Sequence, residues 1–205
     1  MQPIWHPSPN FGPRRDGLTP HLIVLHYTAM DSAQSALDRL CDPQAEVSAH
    51  YLIGGDGTLW QMVEESMRAW HAGAGEWRGQ DDINSRSVGI ELDHRGDHPF
   101  SEPQMRALEQ LLPEIMGRWG IAASGVIGHS DMAPGRKFDP GPRFDWPRLV
   151  RRGVAAPASG GAGGAADWAR FRELARACGY TAAVGDDALL AAVRLRHRPQ
   201  GHGPL

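Results

Sequence analysis

The chain is short of several things, and each shortage removes a class of protein. Cysteine occurs twice in 205 residues, at Cys41 and Cys178, so there is no disulfide framework and no paired-cysteine metal knuckle. No apolar run reaches the roughly 18 residues that a membrane helix needs. An excess of either charge is missing too: 21 Lys plus Arg against 24 Asp plus Glu leave a net charge of −3. That balance gives no electrostatic reason to expect nucleic acid or an anionic membrane as partner. The opening residues, MQPIWHPSPNFGPRRDG, contain no apolar stretch of the secretory kind. Together with the two distant cysteines they predict a cytoplasmic protein, or a periplasmic one if a leader has been removed. HExxH, GxSxG and P-loop patterns do not occur, which leaves the common metalloprotease, serine-hydrolase and nucleotide classes without support.

What remains suffices for a packed core. Hydrophobic residues make up 41% and charged residues 22%, ordinary values for a globular domain. One composition shift divides the chain: residues 153–166, GVAAPASGGAGGAA, hold five Gly and six Ala and no charge. This reads as a linker between a large domain, 1–152, and a tail, 167–205.

In the large domain, residues 21–27 (HLIVLHY) form a short apolar, β-branched run that predicts a buried strand. Asp31-Ser32 caps a helix over 33–40. Residues 49–53 and 58–63 predict two strands joined by the turn Gly54-Gly55-Asp56-Gly57. Residues 87–92 (SVGIEL) and 125–128 (GVIG) predict two more. An apolar stripe through Met105, Leu108, Leu111, Leu112 and Ile115 predicts an amphipathic helix over 102–119, interrupted at Pro113 and closed by Gly120. Strands mixed with helices imply an α/β fold with a central mixed sheet flanked by helices. The tail predicts one helix from Asp167 to Gly179 and another over 188–195. Two such helices bury little by themselves, so they either dock on the large domain or form a marginal unit of their own.

Ten histidines have to be sorted. His6, His94, His98, His197 and His202 stand among Pro, Gly and charged residues, where solvated loops are expected. His21 opens a strand, and His50 lies inside one, as a hydrogen-bonded core histidine would. His26 and His129 each close an apolar strand, and sites in open α/β sheets collect at that edge. Asp139 follows His129 by ten positions. Two imidazoles and a carboxylate suit Zn²⁺ with its fourth position open, or equally a non-haem Fe(II). Glu91 interrupts an apolar strand, where a charge is costly unless it is paired or used. Lys137 is the only lysine in an Arg-heavy chain and could stabilise a developing oxyanion.

The segments Val24-Leu25-His26-Tyr27-Thr28, Val47-Ser48-Ala49-His50-Tyr51-Leu52-Ile53, Ala69-Trp70-His71-Ala72-Gly73, Ser87–Leu92, Gly128-His129-Ser130-Asp131 and Lys137-Phe138-Asp139-Pro140-Gly141-Pro142 occur in one order. In these the chain resembles the zinc-dependent N-acetylmuramoyl-L-alanine amidases of the amidase-2 type, related to peptidoglycan recognition proteins and T7-type lysozymes. The resemblance covers about residues 4–152. It implies Zn²⁺ held by His26, His129 and Asp139, Glu91 as general base and Lys137 as transition-state stabiliser, with Trp70, His71 and Asn84 lining the sugar–peptide groove. It implies a muropeptide or peptidoglycan fragment as partner. The reaction would be hydrolysis of the amide between N-acetylmuramic acid, in its 1,6-anhydro form, and L-alanine during wall recycling. A periplasmic or phage-type hydrolase of intact peptidoglycan, or a non-catalytic peptidoglycan-binding protein, are the alternatives. Residues 77–82 (WRGQDD) are acidic where some relatives are basic. The tail resembles part of a peptidoglycan-binding domain and is expected to be dispensable for chemistry.

Overall fold

A computed structural model describes residues 2–157 and 167–205 of the chain. Eight strands appear in it: β1 (Ile4–Trp5), β2 (Phe11–Pro13), β3 (Leu22–Tyr27), β4 (Tyr51–Ile53), β5 (Leu59–Gln61), β6 (Met67–Ala69), β7 (Ser87–Leu92) and β8 (Val126–Gly128). Six of them form one sheet in the order β1-β5-β4-β7-β3-β8, and β2 and β6 pair separately. Within the large sheet β4, β7, β3 and β8 run parallel, whereas β5 returns antiparallel to β4 through the expected hairpin. The mixed sheet of the sequence analysis is therefore what the chain builds.

The helices α1 (Ala33–Leu40), α2 (Ile83–Arg86), α3 (Glu102–Trp119), α4 (His129–Met132), α5 (Trp146–Arg151), α6 (Trp168–Cys178) and α7 (Asp186–His197) cover it. Ser32 and Ser101 cap α1 and α3 by accepting from the amides of Ser35 and Gln104, which satisfies donors that a helix start leaves orphaned. Gly120 ends α3 with φ of 66°, a conformation glycine reaches without a Cβ penalty. The helix runs on through Pro113, which stands on its exposed face.

Strand alternation divides the core between the two faces. Ile23, Leu25, Val88, Ile90 and Leu92 pack against Leu108, Leu112 and Ile115 of α3 and Leu149 of α5. Leu22, Val24 and Ile127 face the other way, toward Met132 of α4, Ala175 of α6 and Leu189 and Ala192 of α7. The tail thus docks on the sheet's second face. Of the expected linker, Val154 and Ala155 are buried in the first core, and the Ala156 amide donates to the Ala123 carbonyl. Packing extends to that point because two small apolar residues come just after the Arg152-Gly153 end of α5; residues 158–166 lie outside the described residues.

Two histidines depart from expectation: His197 is the half-buried last residue of α7 rather than part of a solvated loop, and His94 is the other. His94 is 3% exposed, with its ring stacked 3.7 Å from that of Phe100 and its Nδ1 accepting from the Gly96 amide. Its polar neighbours in sequence conceal a long-range aromatic partner.

Candidate active site

The parallel register of β3 and β7 sets His26 beside Glu91 at the strands' C-terminal ends. Next to β3 on the other side, β8 ends at Gly128 and passes straight into α4, whose first residue is His129. The following loop returns Asp139 to the same place, held by the Ser130 amide donating to the Asp139 carbonyl at 2.9 Å. His26 Nδ1, His129 Nδ1 and Asp139 Oδ2 converge, 2.9 to 3.1 Å from one another, and all three residues are buried.

The hydrogen-bond network fixes which ring nitrogens carry protons. The Ser87 hydroxyl donates to the Ile83 carbonyl at 2.6 Å, so its oxygen is free to accept from His71 Nε2 at 3.3 Å. His71 Nδ1 then accepts from His26 Nε2 at 3.0 Å. His129 Nε2 donates to the Ala72 carbonyl at 2.9 Å. Both Nδ1 atoms therefore point lone pairs at a carboxylate oxygen. Three electron-pair donors at that spacing repel one another unless a cation sits among them, so the cluster has the chemistry of a metal site. Burial, with the neighbouring His129 adding to it, lowers the His26 pKa to about 4, which keeps the imidazole neutral, as ligation requires.

Glu91 stands apart from this network. Its Oε2 is buried and has no hydrogen-bond partner. Burial, reinforced by the charge of Asp139 and opposed by Lys137, raises its pKa to about 8. A carboxyl perturbed by burial beside a metal-type cluster is what proton-transfer chemistry uses. His26, His129, Asp139, Glu91 and Lys137 all line one cavity of about 410 Å³, with Trp70 and His71 in its wall.

Asn84 lies behind that wall: its Oδ1 accepts from the His71 and Ala72 amides at 3.1 and 2.8 Å, and so sets the segment that carries Trp70 and His71. His50 is the hydrogen-bonded core histidine expected, accepting from the Gly89 amide and donating to the Met67 carbonyl. Sequence reasoning missed Arg39, Arg136 and Phe138 in the cavity wall. Arg136 and Phe138 flank Lys137 and could have been read from that adjacency. Nothing local marks Arg39, whose helix has to dock before its side chain has a site to face.

A family model described as Amidase_2, N-acetylmuramoyl-L-alanine amidase, matches residues 16–142, the stretch that contains every one of these residues. The chain belongs to the Amidase_2 family. Among the relatives of this chain, N-acetylmuramoyl-L-alanine amidase AmiD of Escherichia coli is 41% identical over 151 residues, covering 66% of this chain and 54% of AmiD. The chain thus spans about half the length of AmiD. The 1,6-anhydro-N-acetylmuramyl-L-alanine amidase AmpD of the same organism is 36% identical over 160 residues, 70% of this chain and 87% of AmpD. The chain is also similar to the solved structure of AmiD in complex with anhydro-N-acetylmuramic acid-L-Ala-D-γ-Glu-L-Lys. There the TM-score is 0.79 and the identity 33%, over 92% of this chain and 82% of that one. AmpDh3 of Pseudomonas aeruginosa in complex with anhydromuramic pentapeptide gives a TM-score of 0.78 at 30% identity, over 91% and 86%. No helix of the described residues is long and apolar enough to cross a membrane.

Proposed function

We propose that this chain is a zinc-dependent N-acetylmuramoyl-L-alanine amidase. In this reading it cleaves the amide between N-acetylmuramic acid and L-alanine in soluble, 1,6-anhydro muropeptides released during wall turnover. The observation that carries the reading is the three-donor cluster beside an unpartnered buried carboxylate. Donors on a tetrahedral zinc, at ligand distances of 2.0–2.1 Å, stand about 3.3 Å apart, close to the 2.9–3.1 Å here. Two imidazoles with one carboxylate leave a coordination position open for chemistry.

His26, His129 and Asp139 would hold the ion, which when bound supplies Lewis acidity toward the lactyl carbonyl and acidifies a water. Glu91 accepts the proton of the attacking water as the new C–O bond forms, then delivers it to the alanine nitrogen as the C–N bond breaks. Lys137 faces the charge that develops on the carbonyl oxygen, and its ammonium is most useful in the transition state. Trp70 and His71 bound the groove that takes sugar and peptide. Cys41 and Cys178 form no disulfide, which suits a reducing compartment, and we place the enzyme in the cytoplasm.

The test is digestion of a soluble anhydro-muropeptide and of intact sacculi by the purified zinc-loaded chain, followed by mass spectrometry. Free peptide with L-alanine at its amino terminus should appear from the soluble substrate, much faster than from sacculi. Sacculi as the better substrate would replace the recycling role by that of a wall hydrolase. Binding without cleavage of either would make the chain a peptidoglycan sensor.

A further inference from the structure

The short segment that carries His129 is gripped from behind by the last two helices of the chain. Asp131, one turn into α4, is fully buried, and both of its oxygens are used. Its Oδ1 accepts from the Tyr180 hydroxyl at 2.6 Å. Its Oδ2 accepts from the Gly128 amide at 2.7 Å and from Arg196 Nη1 at 2.9 Å. Arg196 is itself buried. Its Nη2 donates to the Val126 carbonyl at 3.1 Å, and its guanidinium lies 4.0 Å from the centre of the Trp146 ring. Tyr180 follows α6 and Arg196 stands near the end of α7, so both anchors come from the tail.

The place they grip matters. A helix of four residues has too few hydrogen bonds to hold its own orientation. The strand-to-helix turn at Gly128 is equally confined: a Cβ there would meet Pro140, the residue after Asp139, at 2.7 Å. Two metal-type donors, His129 and Asp139, therefore depend on where this turn and α4 sit. Asp131 ties the turn to α4, and Tyr180 and Arg196 tie Asp131 to the tail.

We propose that Tyr180 and Arg196 are positioning residues for the metal site. Acting through Asp131, they hold His129 in register with His26 and Asp139 and so set the affinity for zinc. This gives the tail a task inside the catalytic domain, in place of a wall-binding one. The inference rests on the zinc reading above, and the experiment separates the two.

Zinc affinity of the full-length chain is measured by competition with a chelating dye, well below the melting temperature of each metal-free variant, alongside kcat and KM. Tyr180→Phe removes one hydroxyl and keeps the ring that packs on Trp77. Arg196→Gln removes the charge, and Arg196→Lys keeps it without the second arm to Val126. Loss of an outer partner of a metal ligand typically weakens metal binding by about 10–100-fold. That range is expected for Arg196→Gln, with a smaller loss for Tyr180→Phe, partial recovery in Arg196→Lys, and kcat reduced more than KM. Arg172→Ala breaks the exposed α6–α7 ion pair with Asp186 and should lower the melting temperature without changing zinc affinity. Folded Tyr180→Phe and Arg196→Lys proteins that bind zinc as the wild type does would overturn the proposal and reduce the clamp to a brace for stability. A wild-type chain without tight zinc binding would overturn the zinc reading and this inference with it.

Discussion

Single residues here differ sharply in what their neighbours permit, and Glu91 is the clearest case. Its buried Oε2 has no partner, a cost to the fold that packing does not offset and that the proposed role in proton transfer would explain. Glu91→Gln keeps the shape and removes the proton acceptor. Turnover should fall by about 10²–10⁴ with metal content unchanged by elemental analysis, and near-full activity would assign the proton transfer elsewhere. His50 shows the opposite situation, a titratable group used only for structure. Burial, with Arg14 adding to it, lowers its pKa to about 3. The unfolded chain takes up a proton near pH 6.5 while the folded chain refuses it. The stability that neutral His50 supports is therefore present above pH 6.5 and lost as pH falls from there toward 3, by at most about 1.4 kcal/mol per pH unit. Thermal midpoints of the metal-free protein across that window should fall less steeply for His50→Gln than for the wild type. Equal slopes would show that His50 does not titrate in this window.

At the scale of elements, the site is a product of strand register. β7 carries Glu91 next to His26 of β3, and two residues earlier it carries Gly89. A Cβ at Gly89 would lie 2.4 Å from the His71 ring. The absent side chain is therefore what lets His71 reach both His26 and Ser87. Gly89→Ala should destabilise the fold by about 1–3 kcal/mol, the usual range for overpacking, and weaken metal binding as His71 is pushed off His26. Calorimetry with a metal titration checks both, and an unaltered metal affinity would mean that His71 plays no part in orienting His26. The same strand shows why SVGIEL is informative as a sequence: Val88, Ile90 and Leu92 face the core on one side, and Gly89 and Glu91 serve the site on the other.

At the scale of the whole molecule, the tail and the large domain share one core. The composition of residues 153–166 suggests a linker, and the tail beyond it is expected either to dock or to form a marginal unit, and to be dispensable for chemistry. The structure packs Ala175, Tyr180, Leu189 and Ala192 into the core shared with Trp77, Met132 and Ala133, and adds the buried Arg196–Asp131 ion pair. Breaking such a pair by removing one partner typically costs about 3–5 kcal/mol, a large share of the roughly 5–15 kcal/mol that holds a domain folded. Truncation after residue 157 should therefore yield a protein that is insoluble or largely unfolded by circular dichroism. A soluble, active truncated chain would restore the separable-tail reading.

By itself the sequence determined the layout: five of the six strands of the sheet, all but β1, the helix over 102–119, the hairpin, and His26, His129, Asp139 and Glu91 as candidate residues. Periodicity and capping are local, and each of these residues sits in a short segment whose pattern can be read without its partners. Only the tertiary structure decided the rest. The tautomers of His26 and His129 depend on Ser87, His71 and Ala72, which reach them from other segments. The burial of His94 depends on Phe100, and the grip on Asp131 comes from 49 and 65 positions away. Hydrogen bonds across such separations leave no periodic trace in the chain, because nothing local selects them until the sheet has brought their ends together.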